Sequence, residues 1–189
     1  TCFLSKNNRD EVCISDVGRS FNSWEIWDLP KPGRDYCIGV DTMEGRVTDV
    51  ENIKSEWDKH GVVVLDRISM RVVAQFWGQL DQQTMGEQCL WAAQMYNNAW
   101  IAPELPNGNV VLNVLKQAGY EFIYDRQKFD QRLIEEDTEE LGWRTTSATR
   151  PLMVETLIAL MRDSNIEVIS PTLIGQFRTF VRDKTGKPI

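Results

Sequence analysis

Two acidic residues stand at the ends of short apolar runs, where their side chains could do chemistry. Asp41 closes the run YCIGVD (36–41) and Glu104 closes WIAPE (100–104). If both runs are central strands of one sheet, the strand ends meet at the crevice where open α/β sheets bind ligands. Magnesium and manganese prefer oxygen ligands, and two such ions bridged by carboxylates can activate water against a phosphodiester. The pair therefore predicts an oxygen-ligated metal site, although a single acid at a strand end is more often an ordinary turn residue.

The amino-acid composition excludes several other kinds of site. The chain has 189 residues, enough for one domain with a sizeable core but not for two. Its one histidine, His60, excludes a zinc site built from several histidines and disfavours a Ser-His-Asp triad. The four cysteines lack metal-binding spacing, so we expect reduced thiols, with Cys37 buried. The net charge of -7 argues weakly against avid nucleic-acid binding, which usually shows a basic footprint.

The first half of the chain predicts three adjacent strands. Residues 1–34 are interpreted as a weakly structured lead-in or linker, because Pro30, Pro32 and Gly33 interrupt its end. The runs 36–41, 61–66 and 71–78 are rich in β-branched residues, and their close succession predicts an antiparallel meander. A polar stretch longer than a hairpin needs separates the first two runs.

The second half alternates helices with strands. Asp81 is expected to cap a helix that leads into the strand 100–104, and Gly119 to end a second helix before the strand 121–124. Later helices are expected after Ser147 or Thr149 and after Ser170, each with a proline in its first turn. The pattern predicts an α/β fold with a mixed central sheet flanked by helices.

Several of these segments resemble the nuclease domain of phage terminase large subunits. YCIGVDTMEG (36–45) followed by DKHGVVVLDR (58–67) is similar to the first family motif, and APELPNGN (102–109) to the second. The segments 142–161 and 170–180 resemble the later helical region. The similarity extends over residues 24–189, and the order and spacing of the motifs make it more specific than any single motif.

The resemblance implies a ribonuclease H-like fold and a metal-dependent endonuclease that cuts concatemeric double-stranded DNA during genome packaging. It implies Asp41 and Glu104 as catalytic residues and metal ligands, with Mg2+ or Mn2+ as cofactor and two ions in the site. It also implies an ATPase domain in the same polypeptide, the portal and the small terminase subunit as partners, and action in the host cytoplasm during virus assembly, without a membrane.

Two departures from the family pattern bear on the metal site. Family members supply a third acid near the end of the domain, and this chain ends at DKTGKPI (183–189), so the nuclease domain 35–189 is expected to be truncated at its C-terminal end. A further family acid before the second strand could be Asp49 or Asp58, of which we favour Asp58 as a metal ligand.

Other side chains are candidates for contact with DNA. Phosphates are contacted largely by basic side chains. The basic residues considered are Lys116, Arg126, Lys128, Arg144 and Arg150. Asn107 and Gly108 could bring a helix start close to Glu104, although turn and capping roles explain them equally well. His60 is expected at the surface or at the entry of a strand, and the acidic run 135–140 is expected to be a solvated face.

The tryptophans are expected to be structural. Trp77, Trp91, Trp100 and Trp143 are interpreted as core residues. Trp24 and Trp27 precede the first predicted strand and could pack on the sheet edge or against a preceding domain.

Two alternative functions remain. GVDTMEG (39–45) faintly resembles the phosphate-loop strand of actin-like ATPases, but those proteins need two such domains, and the chain has no P-loop motif. A fragment with an incomplete catalytic set could instead be a non-enzymatic module that docks on DNA or on a portal.

Overall fold

A mixed sheet runs through the computed structural model, which describes residues 2–16, 22–43, 59–125 and 141–179. Its eight strands have the order β2-β1-β3-β6-β5-β4-β7-β8. The strands are β1 (Cys2–Lys6), β2 (Val12–Asp16), β3 (Ser23–Ile26), β4 (Tyr36–Asp41), β5 (His60–Asp66), β6 (Arg71–Gly78), β7 (Trp100–Leu105) and β8 (Trp143–Arg144).

Helices lie on both sides of this sheet. They are α1 (Gln82–Met95), α2 (Asn109–Gln117), α3 (Thr149–Arg162) and α4 (Pro171–Thr179). The helices α1 and α2 cover one face, whereas side chains of α3 and α4 approach the other. The predicted mixed sheet flanked by helices is confirmed. None of the helices in the described ranges is long and apolar enough to cross a membrane.

The centre of the sheet follows from the alternation of its side chains. Along β4, Tyr36, Ile38 and Val40 are buried, and the residues between them are more exposed. Side chains of a strand point alternately to opposite faces, so the buried set packs against α1 and α2. The predicted antiparallel meander β4-β5-β6 is confirmed, and β4 pairs with β7 in parallel on its other side.

Helix ends agree with the sequence in most places. The Asp81 carboxylate accepts a hydrogen bond from the Thr84 N–H at 2.9 Å, and the Ser170 hydroxyl accepts one from Leu173 N–H at 3.1 Å. Gly119 follows α2 with a φ of +67°, a conformation that glycine adopts without strain. The cap predicted for α3 is wrong, because its N-cap is Ala148, and the Thr149 N–H donates to Thr146 Oγ1 at 3.1 Å.

The amino-terminal segment differs from the expected lead-in. Three strands of the sheet come from residues 1–34, and β3 pairs antiparallel with β6 next to the meander. Gln88 of α1 ties this segment down, because its Oε1 accepts hydrogen bonds from Leu4 N–H and Trp24 Nε1–H, both at 3.1 Å. Its Nε2 donates to the Leu4 carbonyl at 2.8 Å. These strands are short and show little apolar alternation, so the sequence did not indicate them. They form through tertiary contacts with α1 and β6.

The tryptophans also differ from expectation. Trp24 is only 1% exposed and packs edge-to-face on Phe76, with ring centroids 5.8 Å apart. The four tryptophans predicted for the core, Trp77, Trp91, Trp100 and Trp143, are half-buried instead. Indole rings tolerate partial exposure because each is large and carries one polar N–H.

Three smaller expectations need correction. Cys37 lies on the less buried face of β4 and is half-buried, although burial still raises the pKa of its thiol. His60 begins β5, as expected for a strand-entry residue, but it is fully buried and not at the surface. The predicted strand 121–124 is reduced to isolated bridges, of which Ile123 with Ile101 is parallel.

We predict that Gln88→Ala destabilises the protein by about 3 kcal/mol, since it leaves two buried N–H donors and a carbonyl without partners. Urea unfolding followed by circular dichroism measures this change. The matched control is Gln83→Ala on the exposed side of the same helix, expected to lie within about 0.5 kcal/mol of wild type. Equal stabilities for the two variants would contradict the attachment of β1 and β3 to α1.

Candidate active site

The two strand-end acids lie on neighbouring parallel strands. In the register of β4 and β7, Val40 pairs with Pro103, and one further step sets Asp41 beside Glu104. Neighbouring strands are about 4.8 Å apart, so the two residues are adjacent at the carboxyl edge of the sheet. Both side chains line one open groove. The structure therefore brings together the two residues that the sequence singled out.

Alternation also sets the exposure of these acids. Asp41 and Glu104 belong to the face opposite α1 and α2, where Asp41 is exposed and Glu104 half-buried. The cross-strand neighbour of Asp41 is Gly61, and that of Glu104 is Trp143. The carboxylates are consequently mounted on regular backbone and remain accessible from the groove.

The start of α2 packs directly against the strand that carries Glu104. The Gly108 N–H donates to the Glu104 carbonyl at 2.7 Å. A β-carbon added at Gly108 would lie 2.7 Å from that oxygen and 2.9 Å from the Pro103 side chain. The sequence suggested that Gly108 could let a helix start lie close to Glu104, and this close approach is present.

The chain leaving Asp41 is held from the other side. The Met43 N–H donates to His60 Nδ1 at 3.4 Å, and His60 Nε2 lies 2.8 Å from the Leu80 carbonyl. Gln82 Nε2 donates to the Met43 carbonyl at 3.1 Å. Both ring nitrogens of His60 are thus engaged in contacts with the backbone.

The groove in front of the acids has a volume of about 480 Å3. Trp77 and Gln75 of β6 line it, together with Trp143 of β8 and Gln176 of α4. Sequence reasoning missed all four as site residues. The alternation along β6 indicates that Gln75 and Trp77 share a face, but only the strand order shows that this face is that of Asp41.

The predicted phosphate contacts are distributed over the sheet. Arg144 pairs with Leu105, one residue beyond Glu104, and Arg150 is exposed in the first turn of α3. Lys116 is exposed near the end of α2, the helix that begins close to Glu104. Tyr120 follows this helix, and its hydroxyl donates to the Ala99 carbonyl at 2.7 Å, at the start of β7. Arg144 and Arg150 therefore lie at the same end of the sheet as the acids, and Lys116 at the other.

The remaining candidates lie outside the described residues. They are Asp49, Asp58, Arg126, Lys128 and the acidic run 135–140. Within the described ranges, no group of three or more histidine, cysteine or acidic side chains is arranged to hold a metal ion. Asp41 and Glu104 are thus a pair of carboxylates, and Asp58 stays a prediction.

The mixed sheet with helices on both faces is the ribonuclease H-like fold that this chain shares with solved large-terminase nuclease domains. The solved nuclease of the large terminase from thermophilic phage G20c with bound magnesium superimposes with a TM-score of 0.63. The match covers 91% of this chain and 78% of that one, at 15% sequence identity. The predicted ribonuclease H-like fold is confirmed.

Further solved structures give the same result. The nuclease domain of the large terminase from Thermus phage P74-26 has a TM-score of 0.60 at 15% identity and covers 88% of this chain and 74% of its own. The G20c nuclease was also solved with cobalt and with zinc. Neither protein-family models nor curated proteins match this sequence. Because the sequence identity is so low, the likeness establishes the fold alone.

We predict that Gly108→Ala destabilises the protein by about 2 kcal/mol, because the new methyl group meets backbone that must shift. Differential scanning calorimetry gives the change. The matched control is Gly175→Ala, since Gly175 lies in α4 and a β-carbon there meets nothing within 4 Å. The control is expected to be unchanged or stabilised by up to about 1 kcal/mol. A similar effect at both positions would argue against the close contact of α2 with β7.

Proposed function

We propose that this chain is the metal-dependent endonuclease domain of a viral DNA-packaging terminase, which hydrolyses phosphodiester bonds of double-stranded DNA. The observation that carries the proposal is the register of β4 and β7, which sets Asp41 beside Glu104 at the carboxyl edge of the sheet. The likeness to large-terminase nuclease folds supports it, since some of those nucleases were solved with divalent metals.

The donor set fits a hard divalent cation. Two adjacent carboxylates supply oxygen ligands, and magnesium is usually bound by one or two carboxylates while water or substrate phosphate completes its shell. Asp41 and Glu104 would hold Mg2+ or Mn2+, with Asp58 as a further ligand and two ions in the complete site. When bound, such ions activate water and stabilise charge on the phosphate.

The protein's own contribution is to position charge. Because Asp41 and Glu104 are on two hydrogen-bonded strands, their backbone positions stay adjacent, and a cation would relieve repulsion between their carboxylates. The site is preorganised, since the turn after Glu104 and the chain after Asp41 are each anchored by hydrogen bonds. Gly61, the cross-strand neighbour of Asp41, has no side chain of its own, and the Trp77 indole lies 3.4 Å from where its β-carbon would be.

The proposal implies that DNA and the packaging motor are partners of this chain. Arg144 and Arg150 place positive charge at the end of the sheet that carries the acids, and these side chains would contact the phosphate backbone. An ATPase domain of the same polypeptide, the portal and the small terminase subunit would be further partners, and the host cytoplasm the place of action during virus assembly.

A docking module is the second candidate, and one observation favours it. Helix α3 has four apolar side chains more than two-fifths exposed, at Leu152, Met153, Ile158 and Met161. Exposed apolar surface of this kind marks contact sites for other proteins. Such a surface is compatible with a nuclease domain that also docks on a neighbour, so the two candidates differ in catalysis alone.

We predict that Asp41→Asn and Glu104→Gln each lower Mn2+-dependent nicking of supercoiled plasmid by about 100-fold or more, as expected for a charge-stabilising group in an active site. Each should also weaken Mn2+ binding at least about tenfold, measured by electron paramagnetic resonance. The matched controls are Asp35→Asn, at the opposite end of β4, and Glu121→Gln, exposed before the bridge residue Ile123. Nicking that persists in both Asp41→Asn and Glu104→Gln would contradict the proposal that these acids form the nuclease site. A chain that neither nicks DNA nor binds Mn2+ through these acids would instead support the docking module.

We predict that Arg144→Ala and Arg150→Ala weaken DNA binding, and that each lowers the slope of log affinity against log salt by about 1, as for one lost phosphate contact. Fluorescence anisotropy with a labelled duplex measures both quantities. The control is Arg9→Ala in the turn between β1 and β2, at the other edge of the sheet. The same titration tests Lys116→Ala. An unchanged slope in both Arg144→Ala and Arg150→Ala would show that the DNA does not contact this end of the sheet.

A further inference from the structure

The acids form part of a row of residues that crosses five strands. Trp77 pairs with Gly61, Gly61 with Asp41, and Glu104 with Trp143. Since Asp41 and Glu104 are adjacent, an indole ring stands at each end of the row. The carboxylates are thereby flanked on both sides by large flat side chains that line the same groove.

A second row lies two residues away from the first along each strand, on the same face of the sheet, and forms the floor of the groove. It consists of Ala102, Gly39, Val63 and Gln75, which are successive cross-strand partners. A β-carbon built at Gly39 would meet nothing within 4 Å, so the floor there is bare. The small residues leave a recess behind the acids, and Gln75 closes it on one side.

Gln75 carries a buried polar atom that the described part of the fold leaves without a hydrogen bond. The residue is 2% exposed, and its Oε1 has no hydrogen-bond partner within the part of the chain that the structure describes. Leaving a buried polar atom unpaired is unfavourable, so such groups call for an explanation and often belong to functional sites. Because a side-chain amide has both an acceptor oxygen and a donor N–H2, Gln75 can recognise a partner that has both.

The walls of the recess are apolar and one of them is fixed in place. The Trp143 indole N–H donates to Thr145 Oγ1 at 3.2 Å, and the ring lies 5.8 Å from that of Tyr124. Met153 and Leu173 contribute aliphatic surface from the helices above the sheet. A flat ring entering here would meet an immobilised indole and aliphatic side chains.

We propose that this recess holds one unstacked base of the DNA strand whose phosphate lies at Asp41 and Glu104, an inference that rests on the proposed nuclease function. A nucleobase has the required combination of an apolar face and a polar edge with donors and acceptors. Bases removed from a stack are typically held between aromatic or apolar side chains and bonded along their edge. Trp143 provides the stacking surface, Gln75 reads the edge of the base, and the groove volume of about 480 Å3 leaves room for one.

A fluorescent base tests the inference without cleavage. The probe is a single-stranded tetranucleotide with one internal 2-aminopurine, added in EDTA so that no divalent metal takes part. Stacking on an indole quenches this base, so emission should fall on binding. Trp143→Leu should restore most of the emission, and Gln75→Leu should weaken binding roughly tenfold, the size expected for losing a pair of hydrogen bonds to a base.

Matched controls isolate the recess from general effects. Trp100→Leu removes an indole from the same face of β7 away from the groove lining, and Gln83→Leu changes an exposed glutamine of α1. Both are expected to behave as wild type. If a site variant fails to fold, the wild-type protein still decides the matter, because binding should shift the indole N–H resonances of Trp77 and Trp143 in its NMR spectrum.

Two results would overturn the base recess. One is quenching and affinity unchanged in both Trp143→Leu and Gln75→Leu, and the other is indole resonances of Trp77 and Trp143 that stay in place when the probe binds. Failure of the proposed function has a different signature, namely plasmid that the wild-type protein leaves intact, or nicking that persists without Asp41 and Glu104. A nuclease without a base recess and a chain without nuclease activity are therefore distinguishable.

Discussion

The parallel pairing of β4 with β7 is the constraint on which the rest of the site depends. A shift of one residue in this register would turn one acid to the opposite face, because strand side chains alternate. The register is specified by burial, since Ile38, Val40 and Ile101 must all face α1 and α2. The packing of the core thus also determines where the carboxylates meet, and stability and site geometry depend on the same hydrogen bonds.

The two faces of the sheet divide the work of the domain. The face under α1 and α2 holds the apolar cluster, in which α1 and α2 approach closely because Gly86 lies against Val114. The other face has glycine and alanine where side chains would fill the groove, and it carries the acids and the Gln75 amide oxygen, which has no partner among the described residues.

Overall acidity is not an obstacle to the proposed role. The net charge of -7 is a property of the whole chain, whereas a field at one site depends on nearby charges. Arg144 and Arg150 lie at the end of the sheet where the acids are, and a bound cation would neutralise the carboxylates. The likeness to large-terminase nucleases at about 15% identity shows that sequences that differ at most positions can share this fold.

The sequence alone predicted the central elements, because strong signals are local: apolar alternation marks β4, β5 and β6, and Asp81, Gly119 and Ser170 mark helix ends. It also singled out Asp41 and Glu104, since each ends an apolar run. It could not predict β1 to β3 or β8, which are short and form through contacts distant in the chain. Only the tertiary structure decided that the two acids are neighbours, that Trp77 and Trp143 flank them, and that Gln75 faces the same groove. Strand order and register decide which side chains share a face, and neither is encoded within a single strand.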